Sequence, residues 1–349
     1  MKPFVFFICL ITSLSASSEA DFSPEEFADT PYAFPESENG SITWDFLWWK
    51  PYANVPYACT YEKTTLPETN STIYSNEKTK EMQLAFHPGF RVGIDLNLPV
   101  DSWKTSLQYT RFVAKDGTFF SPKQGRFFQG IWDTLGVIQE SSLSPTVDVE
   151  QNINFNTVDI NLLHTMYGKK FIYIPFVSLK AALIKNHLYP SYRAFEPATN
   201  ALLKNTARLT SQYRGVGLRT GFLSDFVVNK MWKFSGKTAF SALLSRTTFR
   251  TENAYQIATS SAQNTGTVRS NAIRELHIQQ VLELSFGTSF TYESVCNDRY
   301  LSISANYEAE IWPNHLYMQR LKPGGDAPIQ YYRNALAFQG LTAKATLAF

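Results

Sequence analysis

The sequence predicts an all-β chain closed into a transmembrane, antiparallel up-and-down β-barrel of about 10–12 strands, with long external loops and short turns on the opposite side. Three observations carry this prediction. From residue 41 onward, apolar and polar residues alternate with period two over stretches longer than the usual strand of about 5–6 residues. Beyond the N-terminal segment there is no run of about 18 apolar residues, so only strands could cross a bilayer. The connections between the alternating stretches are long and short by turns, as in a barrel whose loops project on one side.

Residues 1–20 read as a secretory signal peptide: Lys2, an apolar run over 4–11, then small residues ending at Ser18-Glu19-Ala20. The alternative, an N-terminal membrane helix, would need about 20 apolar residues. Cys9 lies inside the run and does not resemble a lipidation site. Residues 21–40 carry Asp21, Glu25, Glu26, Asp29, Glu36 and Glu38 without Lys or Arg, interrupted by Pro24, Pro31 and Pro35, and predict an acidic, flexible leader.

The barrel then occupies 41–349, with strands at about 41–50, 82–98, 103–114, 146–165, 170–186, 212–226, 232–250, 274–293, 299–313 and 334–349. Over 82–98, Met82, Leu84, Phe86, Pro88, Phe90, Val92, Ile94 and Leu96 share one face, opposite Gln83, His87, Arg91 and Asp95. Leu282, Leu284, Phe286, Phe290 and Tyr292 repeat the pattern, as do Leu301, Ile303, Ala305, Tyr307 and Ile311. Residues 57–75 could hold a further hairpin, which would make twelve strands.

Asp148, Glu150, Asn152, Asn154 and Asn156 share a face that Val158, Ile160 and Leu162 continue with apolar side chains. Placing the polar ladder on the lumen wall requires a β-bulge near 156–158; such a ladder could also bind a cation. The regions 51–81, 115–145, 187–211, 251–273 and 314–333 read as long loops. Within 126–140, Phe127, Ile131, Leu135 and Ile138 have helical spacing and predict a short amphipathic helix, folded into the mouth or packed on its own loop. The chain ends "LTAKATLAF", an alternating strand finishing on Phe349. In a closed barrel that strand pairs with the first and has no free edge.

Several stretches, in order, resemble the family of pore-forming proteins typified by the Legionella major outer membrane protein. They are "FLWWKPYANVPYACTY" (46–61), "HPGFRVGIDLNLPVDSWKTSLQYTRF" (87–112), "DVEQNINFNTVDINL" (148–162) with "FIYIPFVSLKAALI" (171–184), "YRGVGLRTGF" (213–222) and "FQGLTAKATLAF" (338–349). The resemblance implies an outer-membrane barrel of a Gram-negative bacterium that conducts small solutes, without catalytic residues. The terminal Phe349 also resembles the signal read by the barrel-assembly machinery. The loops 115–145 and 187–211 carry no landmark of the family.

A pore needs a polar lumen. By parity the inward candidates are Arg91, Asp95, Lys104, Lys180, Arg219, Lys237, Glu283, Glu308, Glu310 and Lys344. They either line a path of mixed charge without strong ion preference or form salt bridges that fill the bore. Trp44, Trp48, Trp49, Tyr52 and Trp103 fall at strand ends and suit a membrane-interface girdle, with core packing as the alternative.

With 32 Lys+Arg against 30 Asp+Glu, the chain has no basic excess for nucleic acid. His87, His164, His187, His277 and His315 show no metal-ligand spacing, so no metal or cofactor is expected. Cys59 falls in an external loop and Cys296 in a turn at the other end, too far apart for a disulfide between them. Asn70-Ser71-Thr72 matches a glycosylation acceptor that carries little weight in bacteria.

The sequence therefore reads as a non-enzymatic, porin-like channel for passive diffusion of small solutes or ions. The alternative is a plugged structural or adhesive barrel whose loops bind a partner, and a third reading is a membrane-embedded hydrolase using His187 or His315. Outer-membrane lipid and the assembly machinery are the expected partners, with homo-oligomerisation left open.

Overall fold

The computed structural model describes residues 40–53, 55–65, 72–99, 102–122, 127–133, 143–168, 170–229, 231–259, 262–270, 273–293, 300–320 and 330–349. The predicted signal peptide and nearly all of the acidic leader lie outside them. The strands are β1 (Gly40–Tyr52), β2 (Pro56–Thr65), β3 (Thr72–Glu81), β4 (His87–Asn97), β5 (Trp103–Phe120), β6 (Phe127–Gly130), β7 (Leu143–His164), β8 (Met166–Tyr167), β9 (Phe171–Glu196), β10 (Ala201–Val227), β11 (Trp232–Ala258), β12 (Gln263–Arg269), β13 (Ile273–Glu293), β14 (Tyr300–Arg320) and β15 (Gln330–Ala348).

Ten of these close the wall in the order β1-β4-β5-β7-β9-β10-β11-β13-β14-β15, every neighbour antiparallel, and β15 pairs back onto β1. Closure leaves no free edge, which is what lets strands stand in hydrocarbon. Ser41 pairs with Ala348, and the Gly40 and Phe349 amides each donate to the other's carbonyl at 3.2 and 3.1 Å. The chain end on Phe349 is thus a sealed seam. At Gly340 a Cβ would run into the Trp48 carbonyl oxygen, so only glycine lets β15 approach β1 that closely.

The hairpin suspected within 57–75 exists as β2–β3, but it joins β6 in a separate three-stranded sheet and adds nothing to the wall. The helix expected over 126–140 is corrected at its start: Phe127–Gly130 is strand β6, paired with β2. Leu135 and Ile138 lie outside the described residues.

The loops expected at 187–211 and 251–273 are largely strand. β9 runs to Glu196 and β10 starts at Ala201, both far beyond the span of a bilayer. In these extensions Leu188, Tyr192, Leu203, Ala207 and Leu209 point inward and are buried. The alternation continues there with its sense reversed, which a search for outward apolar residues does not recognise. Likewise β5 continues to Phe120.

The bulge expected near 156–158 is absent, since β7 keeps unbroken register with β5 through this stretch. Asp148 to Asn156 are correspondingly not lumen wall; their parity is the outward one, shared with the exposed Val158, Ile160 and Leu162.

Candidate functional site

Exposed apolar side chains girdle one half of the barrel, among them Phe90 and Ile94 on β4, Val177 and Leu179 on β9, Leu218 and Phe222 on β10, and Ile303 and Tyr307 on β14. This is the lipid-facing half. It includes the end with the chain termini and the short turns, where the Leu98 amide donates to the Trp103 carbonyl at 2.9 Å and the Val228 amide to Trp232 at 3.0 Å. The extended strands and the three-stranded sheet lie at the other end.

Inside, three layers follow one another. Nearest the short turns is a polar cavity of about 360 Å³, lined by Asp95, Asn97, Lys104, Asn161, Asp225, Lys233, Ser302, Asn306 and Lys344 among others. Within it Ser41 Oγ donates to Asp95 at 3.1 Å and Lys233 Nζ contacts Asp225 at 2.6 Å.

The second layer is ionic. Arg91 grips both carboxylate oxygens of Glu308 at 3.1 and 3.0 Å and reaches Asp45 at 3.1 Å. Lys180 Nζ lies 2.8 Å from Glu283 and 2.9 Å from Glu310. Arg219 Nη2 contacts the other Glu283 oxygen at 2.6 Å and its Nη1 donates to Asn161 at 3.0 Å. Lys237 reaches the same Glu283 oxygen at 2.9 Å. Buried charges survive only when paired and hydrogen-bonded, and Glu283 meets that condition with three cations at once. β9 and β13, three places apart in the wall, are tied across the interior by this layer.

The third layer is aromatic and closes the bore. Trp49, Phe112, Phe155, Trp312, Phe338 and Tyr213 are all at most 2% exposed. Phe155 lies 4.7 Å from Phe338 and 5.9 Å from Trp312, ring centre to ring centre; Trp312 lies 5.7 Å from Tyr213, and Phe112 5.6 Å from Phe338. β7 and β14 stand on opposite sides of the ten-strand wall, so the contact of Phe155 with Trp312 spans the interior. Lys180 Nζ sits 5.7 Å from the Trp312 ring centre and Arg91 5.5 Å from that of Trp49, so the ionic layer abuts the aromatic one.

Above the plug the small sheet docks on the inner face of β9–β10. Tyr192 Oη donates to the Tyr57 carbonyl at 2.7 Å, Trp132 Nε1 donates to Pro56 at 2.8 Å, and Asn205 is hydrogen-bonded to Asp133.

The inward candidates thus divide by layer. Arg91 and Glu308 form one cluster with Asp45, and Lys180, Arg219, Lys237, Glu283 and Glu310 form a second; Arg91, Arg219, Lys237 and Glu308 also line the upper part of the cavity, whose remaining candidates are Asp95, Lys104 and Lys344. Sequence reasoning missed Asp45 and Asp159, both inward and buried; the parity that selected Arg91 and Glu283 would have selected them too.

Trp44, Trp48 and Tyr52 are exposed on the outer face. Trp49 is a correction: it has the opposite parity, is 1% exposed, and its indole donates to Thr342 at 3.2 Å inside the plug. Four successive aromatic or apolar residues, Phe46 to Trp49, hide which pair points inward. Trp103 is half-buried against His164, 4.8 Å between ring centres.

His315 is buried against Tyr213 and Trp312, and His187 lies outside, 3.2 Å from Thr210. Neither has a carboxylate at hydrogen-bonding distance among the described residues. A His–Asp pair does occur, His87 to Asp116 at 2.7 Å, but the same Asp116 oxygen also accepts the Ala85 amide, which ties a chain segment to β5. Cys59 Sγ lies 3.8 Å from Thr79 Oγ1, and Cys296 lies outside the described residues.

A family model described as Legionella pneumophila major outer membrane protein precursor matches residues 34–349. Comparison with curated proteins finds no match. Among solved structures, the Escherichia coli outer membrane protease OmpT aligns at 9% identity and TM-score 0.44, covering 92% of this chain and 100% of that one. The Pseudomonas putida toluene transporter TodX aligns at 7% identity and TM-score 0.31, covering 92% and 94%. A Pseudomonas aeruginosa FadL homologue aligns at 7% and 0.28, covering 90% of each chain. At such scores the likeness carries no argument about activity.

Proposed function

The chain belongs to the family of the Legionella major outer membrane protein and is an outer-membrane β-barrel, and we propose that it works there as a plugged surface barrel that carries its β-extension out of the bilayer for a partner to bind. The observation that carries this reading is the contact of Phe155 with Trp312 across the interior, above a paired ionic layer. A standing pore would need water along the axis at that level, where these rings are fully buried. The barrel carries out no reaction in this reading. Its terminal strand, ending at Phe349, is the segment offered to the assembly machinery.

A second reading is supported by the cavity beneath the plug. Its mixed charges suit a porin-like channel for small solutes or ions, provided that the aromatic layer moves aside. Planar bilayers separate the two. The plugged reading expects wild-type protein to leave the membrane closed; discrete conductance steps from wild-type protein would overturn it and favour the channel. Phe155→Ala and Phe338→Ala are expected to admit current that wild type does not.

A further inference from the structure

On three adjacent strands the lipid-facing belt ends in the same way. Its last outward residues are Leu183 on β9, Val216 on β10 and Leu244 on β11, exposed by 53, 57 and 56%. The next outward residue on each strand, one step further from the short-turn end, is a cation: Lys185, Arg214 and Arg246, all exposed. Outward neighbours along a strand are about 7 Å apart, so these charges stand at the rim of the apolar surface.

Arg214 and Arg246 are directly paired across β10 and β11. Like charges facing each other on a sheet destabilise it unless an anion lies between them. Among the described residues, none of the three forms an ion pair. The neighbouring pair of strands shows the ordinary solution at a similar place, Lys115 on β5 with Glu150 on β7 at 2.8 Å. Just above, burial and then the nearby Arg208 and Lys185 hold His187 below the usual histidine range, in keeping with an unneutralised positive field.

We propose that Lys185, Arg214 and Arg246 form a binding site for the phosphorylated headgroup of an outer-leaflet glycolipid, whose acyl chains lie on Leu183, Val216 and Leu244. The strand extensions mark this rim as the external one, and cations just outside the hydrocarbon attract anionic headgroups. The amphiphilic shape of the ligand matches the order of the surface, anion over chains. An acidic protein would find only the upper half of that pattern and would have to displace lipid to reach it.

The test uses the full-length barrel, stripped of lipid in detergent and followed by native mass spectrometry. Its probes are a bisphosphorylated acyl-glucosamine disaccharide and the same lipid without phosphate. Wild type is expected to retain the phosphorylated lipid about ten-fold more than the phosphate-free one. The Arg214→Gln/Arg246→Gln variant should lose that preference, Arg214→Lys/Arg246→Lys should keep most of it, and Lys115→Gln should keep all of it. Equal retention of both lipids by wild type overturns the proposal without any variant needing to fold. Unchanged preference in the double Gln variant, or lipid fully displaced by millimolar inorganic phosphate, also overturns it.

Discussion

Strand β7 carries two alternations of opposite sense. From Val147 to Phe155 the inward residues Val147, Val149, Ile153 and Phe155 are apolar and buried, with Gln151, which donates to Asn186 at 3.2 Å, as a buried polar exception, while Asp148, Glu150, Asn152 and Asn154 face out. From Thr157 to Asn161 the inward residues Thr157, Asp159 and Asn161 are polar, while Val158, Ile160 and Leu162 face out, exposed by 38, 50 and 43%. β9 reverses in the same way, from Lys180 inward and Leu179 outward to Ile184 inward and Lys185 outward. The lower half is built for lipid outside and polar groups inside. The upper half has polar groups outside and a largely apolar core, into which a few hydrogen-bonded polar side chains such as Gln151 and Asn205 are set. The hydrophobic effect sorts each side chain by the medium at its own height, so one continuous pleat can change its inside for its outside without a bulge.

If the two halves differ in this way, equivalent changes must have unequal effects. The largest effect is expected at the ionic layer: Glu283→Gln strips three cations of a carboxylate and should cost about 3–5 kcal/mol, measured by reversible urea unfolding in detergent. Phe338→Ala removes a ring from the apolar core and should cost about 3–4 kcal/mol. A loss below 1 kcal/mol there would mean that the upper half is not packed. Ile160→Arg places a charge on the lipid face and should cost about 2–4 kcal/mol. Thr342→Val leaves the Trp49 indole without its acceptor, at about 1–2 kcal/mol. Asn154→Glu, on the same strand and face as Ile160 but paired across the sheet with Lys185, should change stability by no more than about 0.5 kcal/mol. Equal losses for Ile160→Arg and Asn154→Glu would erase the boundary between the halves.

Much of the wall was legible in the residues, and the reason is local. Alternation at Phe90-Arg91-Val92, Leu282-Glu283-Leu284 and Ala343-Lys344-Ala345 is a property of neighbours, and it named most of the ionic network by parity alone. What the sequence obscured lay where the medium changes. Met82 and Leu84 have the parity of Phe90 and Val92, yet the first two are buried and the last two exposed. Most of 187–211, on either side of the turn at 197–200, was strand hidden by a reversed sense of alternation. Trp49 was lost in an unbroken apolar run.

The amino-acid order by itself determined that the chain would pair into long antiparallel strands, and which side chains would share a face, because the two-residue repeat is built into the extended backbone. It could not say what each face would meet. That was decided only when ten strands closed and brought β7 opposite β14 and β9 within reach of β13. Whether Phe155 lines a passage or blocks it depends on a ring 157 residues away in sequence, at Trp312, and contacts between strands that are not neighbours leave no periodic trace in either one.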